Sequence, residues 1–309
     1  MNRRDFFWTT SAAASALFLS GRWSHGMILD RETIQKNVAR AKLRFATYWG
    51  RLIPAENDMD RLKKMRELGM EAIEISGNGE ALKEKLPMFR DEGFVVCSIS
   101  VGSGGATIVS EDPSRRPAGI DAAKKALENA GFFGAKAVIY VPAFNGATKL
   151  PPVEIRKILM DTLPMLGEFA LQHNTCLVME PLTRNESWFL RQVADAAQIA
   201  KDTGSEGIGT MGDFYHMASE EPSDMGAFIA GGKYIKHVHL GNGPQPPRRT
   251  LPGEDDRPFV DGFRGLKYIG YDRFCSFECG VHAPDKFEAV KRSIAFCKSE
   301  WEKADVWGC

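Results

Sequence analysis

From Leu43 to Lys303 the chain switches eight times between a short apolar run and a longer amphipathic stretch, an alternation that few folds can accommodate. The apolar runs read as strands over 43–49, 72–76, 94–101, 135–141, 175–180, 208–215, 235–240 and 274–279. Their β-branched content, and the absence of clean polar alternation, suit strands of a parallel sheet covered on both faces. The intervening segments read as helices over 57–68, 80–92, 121–130, 152–172, 186–202, 224–230, 259–269 and 285–303. Gly69 and Gly93 follow two of them, where a left-handed C-terminal cap suits glycine. Eight strand–helix units in about 260 residues predict an α/β fold, a single-domain (β/α)8 TIM barrel over residues 41–309, with an open doubly wound sheet as the runner-up.

The first 40 residues read differently. Arg3-Arg4 with Phe6-Phe7 precedes an apolar, small-residue run from Thr10 to Leu19, and no acidic residue follows until Asp30. This resembles a twin-arginine export signal, so residues 1–40 are expected to be signal and linker, with a periplasmic or otherwise exported mature protein. The apolar run is too short to form a stable membrane span in the mature protein, and no clear small-x-small cleavage site follows Leu19. Lysine plus arginine equal aspartate plus glutamate at 40 each, so no excess positive charge is available to collect nucleic acid. The six cysteines lack the spacing of a zinc ribbon or disulfide scaffold and read mostly as core. The partner this composition favours is a small neutral molecule, and it leaves the oligomeric state open.

Four polar residues end four successive predicted strands: Glu180, Asp213, His239 and Glu278. In a barrel those ends meet at the C-terminal rim. Three carboxylates brought together repel one another unless a cation neutralises them, so the pattern points to one divalent ion. One nitrogen and three oxygens suit Mn2+, Mg2+, Co2+ or Zn2+. The affinity order alone favours zinc over manganese, but a protein that folds before export keeps an ion acquired in the cytoplasm, and manganese is preferred here. His237 and His239 alternate about Val238 and so face the same side, with His239 nearer the rim as ligand and His237 beneath it as a hydrogen-bonded core or supporting histidine. His216, three residues after Asp213, reads as a substrate-binding group or a surface residue.

The segments Met179-Glu180-Pro181, Gly212-Asp213-Phe214-Tyr215-His216, His237-Val238-His239-Leu240 and Phe277-Glu278-Cys279-Gly280 resemble the signature of the xylose-isomerase-like barrel superfamily, and Tyr268-Ile269-Gly270-Tyr271-Asp272 is similar too. Within it the chain is similar to the sugar phosphate isomerase/epimerases, including ketose 3-epimerases and hydroxypyruvate isomerases. The resemblance implies one metal on Glu180, Asp213, His239 and Glu278, with Glu180 and Glu278 also moving protons. It further implies that His216 touches substrate and that Glu186 lies near it. Those enzymes place an arginine six residues after the ligand histidine, where this chain has Gln245; Arg248 or Arg249 is the substitute that the following loop offers, and Arg248 is taken as the substrate contact.

This reading implies proton transfer through an enediolate of a sugar or keto sugar, as epimerisation or as aldose–ketose isomerisation. The alternatives are a metal-dependent lyase or hydrolase of oxidised sugars, and a non-catalytic periplasmic sugar-binding barrel. Endonucleases that share the barrel draw histidines from the early strands, whereas here none occurs between His25 and His173. An exported location, and the lack of a glycine-rich turn after strand seven or eight, predict an unphosphorylated substrate.

Overall fold

A computed structural model describes residues 29–246 and 248–306. The export-signal motif therefore lies outside the described residues. Eight parallel strands close into a barrel in the order of the chain: β1 (Arg44–Tyr48), β2 (Met70–Glu74), β3 (Val95–Ser100), β4 (Ala137–Tyr140), β5 (Leu177–Met179), β6 (Ile208–Asp213), β7 (Ile235–Leu240) and β8 (Phe274–Phe277). Every neighbouring pair is parallel, and β8 closes on β1. The expected single-domain TIM barrel is the observed one.

The helices are α1 (Arg31–Arg40), α2 (Asp58–Glu67), α3 (Leu86–Asp91), α4 (Arg116–Phe133), α5 (Pro152–Gln172), α6 (Val193–Asp202), α7 (Phe214–Glu220), α8 (Asp224–Gly231), α9 (Val260–Ile269) and α10 (Lys286–Lys303). Local chemistry sets many of their ends. Asn57 and Asp285 cap α2 and α10 by accepting from backbone N–H groups three residues on, and Gly134 and Gly270 close α4 and α9 in the left-handed conformation. α1 falls in the segment expected to be linker. Asp30 caps it, and Asn37 and Arg40 donate to the carbonyls of Tyr268 and Gly270 at 3.0 Å, which ties α1 to the end of α9.

The main apolar core lies between sheet and helices, with Phe214, Phe228, Phe259 and Phe263 fully buried. Ala137, Ile139, Cys176, Val178 and Met211 form a smaller cluster that fills part of the barrel interior. Because strand side chains alternate, the inward row then turns polar towards the C-terminal ends: Val178 gives way to Glu180, Met211 to Asp213, and Ala72 to Glu74. Five of the six cysteines are free thiols, four of them buried, and Cys309 lies outside the described residues. Among the described residues no helix is long and apolar enough to cross a membrane.

The glycines that interrupt β6 are explained by close packing. A Cβ on Gly212 would lie 2.5 Å from the Phe228 ring and 3.0 Å from the Met217 sulfur, so α8 seats against bare backbone one residue before Asp213. The Phe228 ring is fully buried and cannot retreat. Gly212→Ala is expected to cost about 1–3 kcal/mol by overpacking, read as a lower midpoint in urea with an unchanged slope.

Candidate metal centre

The strand ends deliver Glu180, Asp213, His239 and Glu278 to one point, and one ligand atom from each lies within 4.8 Å of all the others. Each is held by backbone structure. The Glu180 N–H donates to the Tyr140 carbonyl at 3.0 Å, and the Glu278 N–H donates to the Leu240 carbonyl at 3.1 Å, which continues the barrel pairing one residue past β5 and β8. Asp213 pairs in register with His239. Its Oδ1 caps α7 by accepting from the Tyr215 N–H at 2.8 Å, leaving Oδ2 to face the centre. His239 Nδ1 lies 2.7 Å from Glu278 Oε2, 3.4 Å from Glu180 Oε1 and 3.6 Å from Asp213 Oδ2.

This donor set fits a divalent ion on two grounds. Glu180 Oε1 and His239 Nδ1 are buried without a hydrogen-bond partner, an arrangement that is costly unless something cationic lies between them. Charge gives the second ground. Among the described residues, Arg249 is the only lysine or arginine paired with any of the four, through Asp213 and Glu278. With the imidazole neutral, the form in which it ligates a metal, one guanidinium against three carboxylates leaves two negative charges, the complement of a divalent cation.

The surrounding field is strong. Burial would raise the Asp213 carboxyl, but Arg249 and His216 outweigh it and hold the group far below the usual carboxylate range. Burial would lower the His239 imidazole, but Glu74 and Glu278 raise it well above its ordinary value. The Tyr48 hydroxyl, beside the site, is pushed well up by burial and by the Glu74 charge.

The other predicted residues are placed as follows. His216 is buried, and its Nδ1 accepts from the Thr183 N–H at 3.1 Å, which leaves Nε2–H directed at Asp213 Oδ2 (3.6 Å) and Glu180 Oε1 (3.9 Å). Glu186 sits on the rim with its carboxylate 4.0 Å from His216 Nδ1 and 42% of its side chain exposed. His237 is buried below His239 and hydrogen-bonded to Glu74. Arg248 is exposed on the β7–α9 loop, whereas its neighbour Arg249 turns inward from a left-handed backbone (φ 54°), stacks over Tyr215 and donates from Nε to the Glu278 carbonyl at 2.7 Å. The arginine that reaches the centre is thus ten residues after His239. A cleft of about 200 Å³ opens beside it, lined by Thr47, Tyr48, Arg51, Leu52, Arg249 and Glu278 among others.

Sequence reasoning missed Glu74. It ends β2 with no exposed surface and accepts from Nε2 of His237 (3.1 Å) and of His239 (3.0 Å). A carboxylate set inside the apolar run Ala72-Ile73-Glu74-Ile75 was the available signal.

Residues 62–300 match the family described as xylose isomerase-like TIM barrel. The chain is 25% identical to 3-dehydro-D-guloside 4-epimerase of Escherichia coli (strain K12) over 79% of its own length and 95% of that enzyme. It is 28% identical to L-ribulose 3-epimerase of Mesorhizobium japonicum, over 72% of this chain and 76% of the other. The crystal structure of 3-keto-D-glucoside 4-epimerase from E. coli, in its apo form, superposes with a TM-score of 0.73 at 24% identity, covering 84% of this chain and 100% of that one. At that identity the structural likeness speaks to the fold.

Arg249 supplies a prediction about the ion-free protein. Its side chain is 23% exposed, so losing its pairs should cost roughly 2 kcal/mol, short of the 3–5 kcal/mol of a fully buried pair. Chemical denaturation of Arg249→Gln should show that loss without divalent ion and a clearly smaller one with it, because the ion then compensates the same carboxylates.

Proposed function

The chain belongs to the xylose isomerase-like TIM barrel family, and from that premise together with the four-residue rim centre we propose that it is a divalent-metal-dependent isomerase or epimerase of a small sugar or keto sugar. The observation that carries this reading is the placement of the two glutamates. Glu180 and Glu278 stand at the two ends of the β5–β8 arc with Asp213 and His239 between them, so a substrate seated at the centre meets a carboxylate from each side. When bound, the ion supplies Lewis-acid polarisation of the substrate carbonyl and stabilises the enediolate charge.

The chain's own groups do the rest. One glutamate takes the carbon-bound hydrogen as a proton, and the electron pair of the broken C–H bond moves towards the carbonyl oxygen. The other returns a proton to the opposite face, which inverts the carbon; return to the adjacent carbon, with the hydroxyl proton passing to the former carbonyl oxygen, gives isomerisation instead. His216 can donate from Nε2 because the Thr183 N–H occupies Nδ1, so it is suited to hold a substrate hydroxyl or carbonyl oxygen. Arg249 takes the loop arginine's role, with Arg248 and Glu186 as outer contacts on the rim. The curated relatives include a 4-epimerase and a 3-epimerase, which supports a keto-sugar substrate without choosing the carbon.

Manganese is the preferred ion, given a mainly oxygen donor set. Arg3-Arg4 and the apolar run after it support twin-arginine export and a periplasmic location. An unphosphorylated substrate fits both that location and an Arg249 already engaged with two carboxylates.

The test is solvent deuterium entering a keto sugar at the carbon beside the carbonyl, followed by mass spectrometry with Mn2+-loaded protein. Exchange with recovery of two epimers or isomers is expected, and Glu180→Gln and Glu278→Gln should each slow it by about 100-fold or more. Exchange that ends in a β-elimination product would make the protein a lyase. Sugar binding with no exchange across the keto sugars would make it a non-catalytic binder.

A further inference from the structure

β2 contributes nothing to the four rim ligands, yet it ends in a carboxylate that crosses the barrel interior to β7. Burying an ionised carboxylate costs several kcal/mol unless it is compensated, and an apolar side chain would fill an inward strand position without that cost. Glu74 is fully buried, and among the described residues no lysine or arginine pairs with it. Its partners are therefore the two imidazoles, one on each oxygen.

An ionised carboxylate only accepts hydrogen bonds, so the nitrogen facing each oxygen must carry a hydrogen. For His239 that nitrogen is Nε2, at 3.0 Å from Glu74 Oε1. A neutral imidazole with hydrogen on Nε2 has its lone pair on Nδ1. Nδ1 is the atom that meets Glu180, Asp213 and Glu278 and that lacks a hydrogen-bond partner. The opposite tautomer would put a hydrogen where an ion must bind. His237 holds Glu74 Oε2 at 3.1 Å, with the Ser98 hydroxyl 3.4 Å from the same nitrogen, so the carboxylate is fixed from below while it fixes His239 above.

We propose that Glu74 is a positioning residue of the metal centre: it sets the tautomer and ring orientation of His239 so that a bare Nδ1 faces the ion, and His237 serves to hold Glu74 in place. The inference rests on the metal-centre reading of the four rim residues. It does not depend on which sugar is turned over.

Two measurements test it on the full-length chain. In 15N-labelled protein loaded with Zn2+, which is diamagnetic, long-range 1H–15N correlation should report His239 with hydrogen on Nε2 and none on Nδ1; hydrogen on Nδ1 would overturn the proposal. Titration with Co2+ alone should then give an affinity about 10–100-fold weaker in Glu74→Gln than in the parent, with a changed visible absorption spectrum. Glutamine offers one acceptor and one donor, so it cannot satisfy both Nε2–H groups. Glu74→Asp, which keeps two acceptors, should recover part of the loss. A Glu74→Gln protein that binds Co2+ within twofold of the parent, with the same spectrum, would also overturn it. The tautomer measurement needs neither a variant that folds nor a substrate, so a failure of the epimerase reading would be seen separately, as absent deuterium exchange with the tautomer intact.

Discussion

Bringing three carboxylates and an imidazole within 4.8 Å of one another is the constraint around which the C-terminal rim is organised. Like charges at that separation oppose the very convergence that the barrel enforces, and in a partly water-excluded site the repulsion is larger than in solvent. The fold offsets it with the Arg249 guanidinium, with a backbone N–H on Asp213 Oδ1 and with imidazoles on either side. Two negative charges remain, and two buried ligand atoms remain without partners. An enzyme that must develop negative charge on a sugar oxygen benefits from a divalent cation held in that position, since the same ion that relieves the protein's repulsion also stabilises the reaction's charge.

The rim is also built as one mechanical piece. α7 begins directly on the rim residue Asp213 and ends at Glu220, whose nearly buried carboxylate accepts from the backbone and guanidinium of Arg184 at 2.9 Å. Glu221 accepts from the Val193 N–H at 2.7 Å at the start of α6, and His216 accepts from Thr183. The loop between β5 and α6, which carries Glu186, is thereby fastened to the helix that follows β6. Opposite, the Glu278 carbonyl takes the Arg249 side chain and the Arg249 carbonyl takes the Gly280 N–H at 2.8 Å, which closes the β7 and β8 loops on each other. Such cross-ties hold functional groups on loops with the precision that proton transfer requires.

How much of this was legible in the sequence follows from the range of each interaction. The barrel was legible because strand and helix periodicities are local, and α5 and β7 have the boundaries that the pattern gives, 152–172 and 235–240. The four rim residues were legible because each closes its own apolar run. Glu74 was not: the sequence pattern places the second strand at 72–76, whereas it runs from Met70 to Glu74, so the pattern hides that the acid stands at a strand end facing inward. The helix expected from residue 186 starts at Val193 because residues 183–192 are folded back by Glu220 and Glu221, partners about thirty residues distant that no local pattern reveals. β6 stops at Asp213 rather than Tyr215 because the Asp213 side chain caps α7. Arg249 rather than Arg248 reaches the centre because of one left-handed backbone angle in a loop, a choice that adjacent identical residues cannot display.

The most direct test of the central claim is where a divalent ion binds. Crystals of the protein equilibrated with Mn2+ and measured at the manganese absorption edge should give one anomalous peak per chain, with ligand atoms of Glu180, Asp213, His239 and Glu278 each at roughly 2.0–2.3 Å from it. Folded protein that takes up no ion there, or that binds it at another group of residues, would contradict the account.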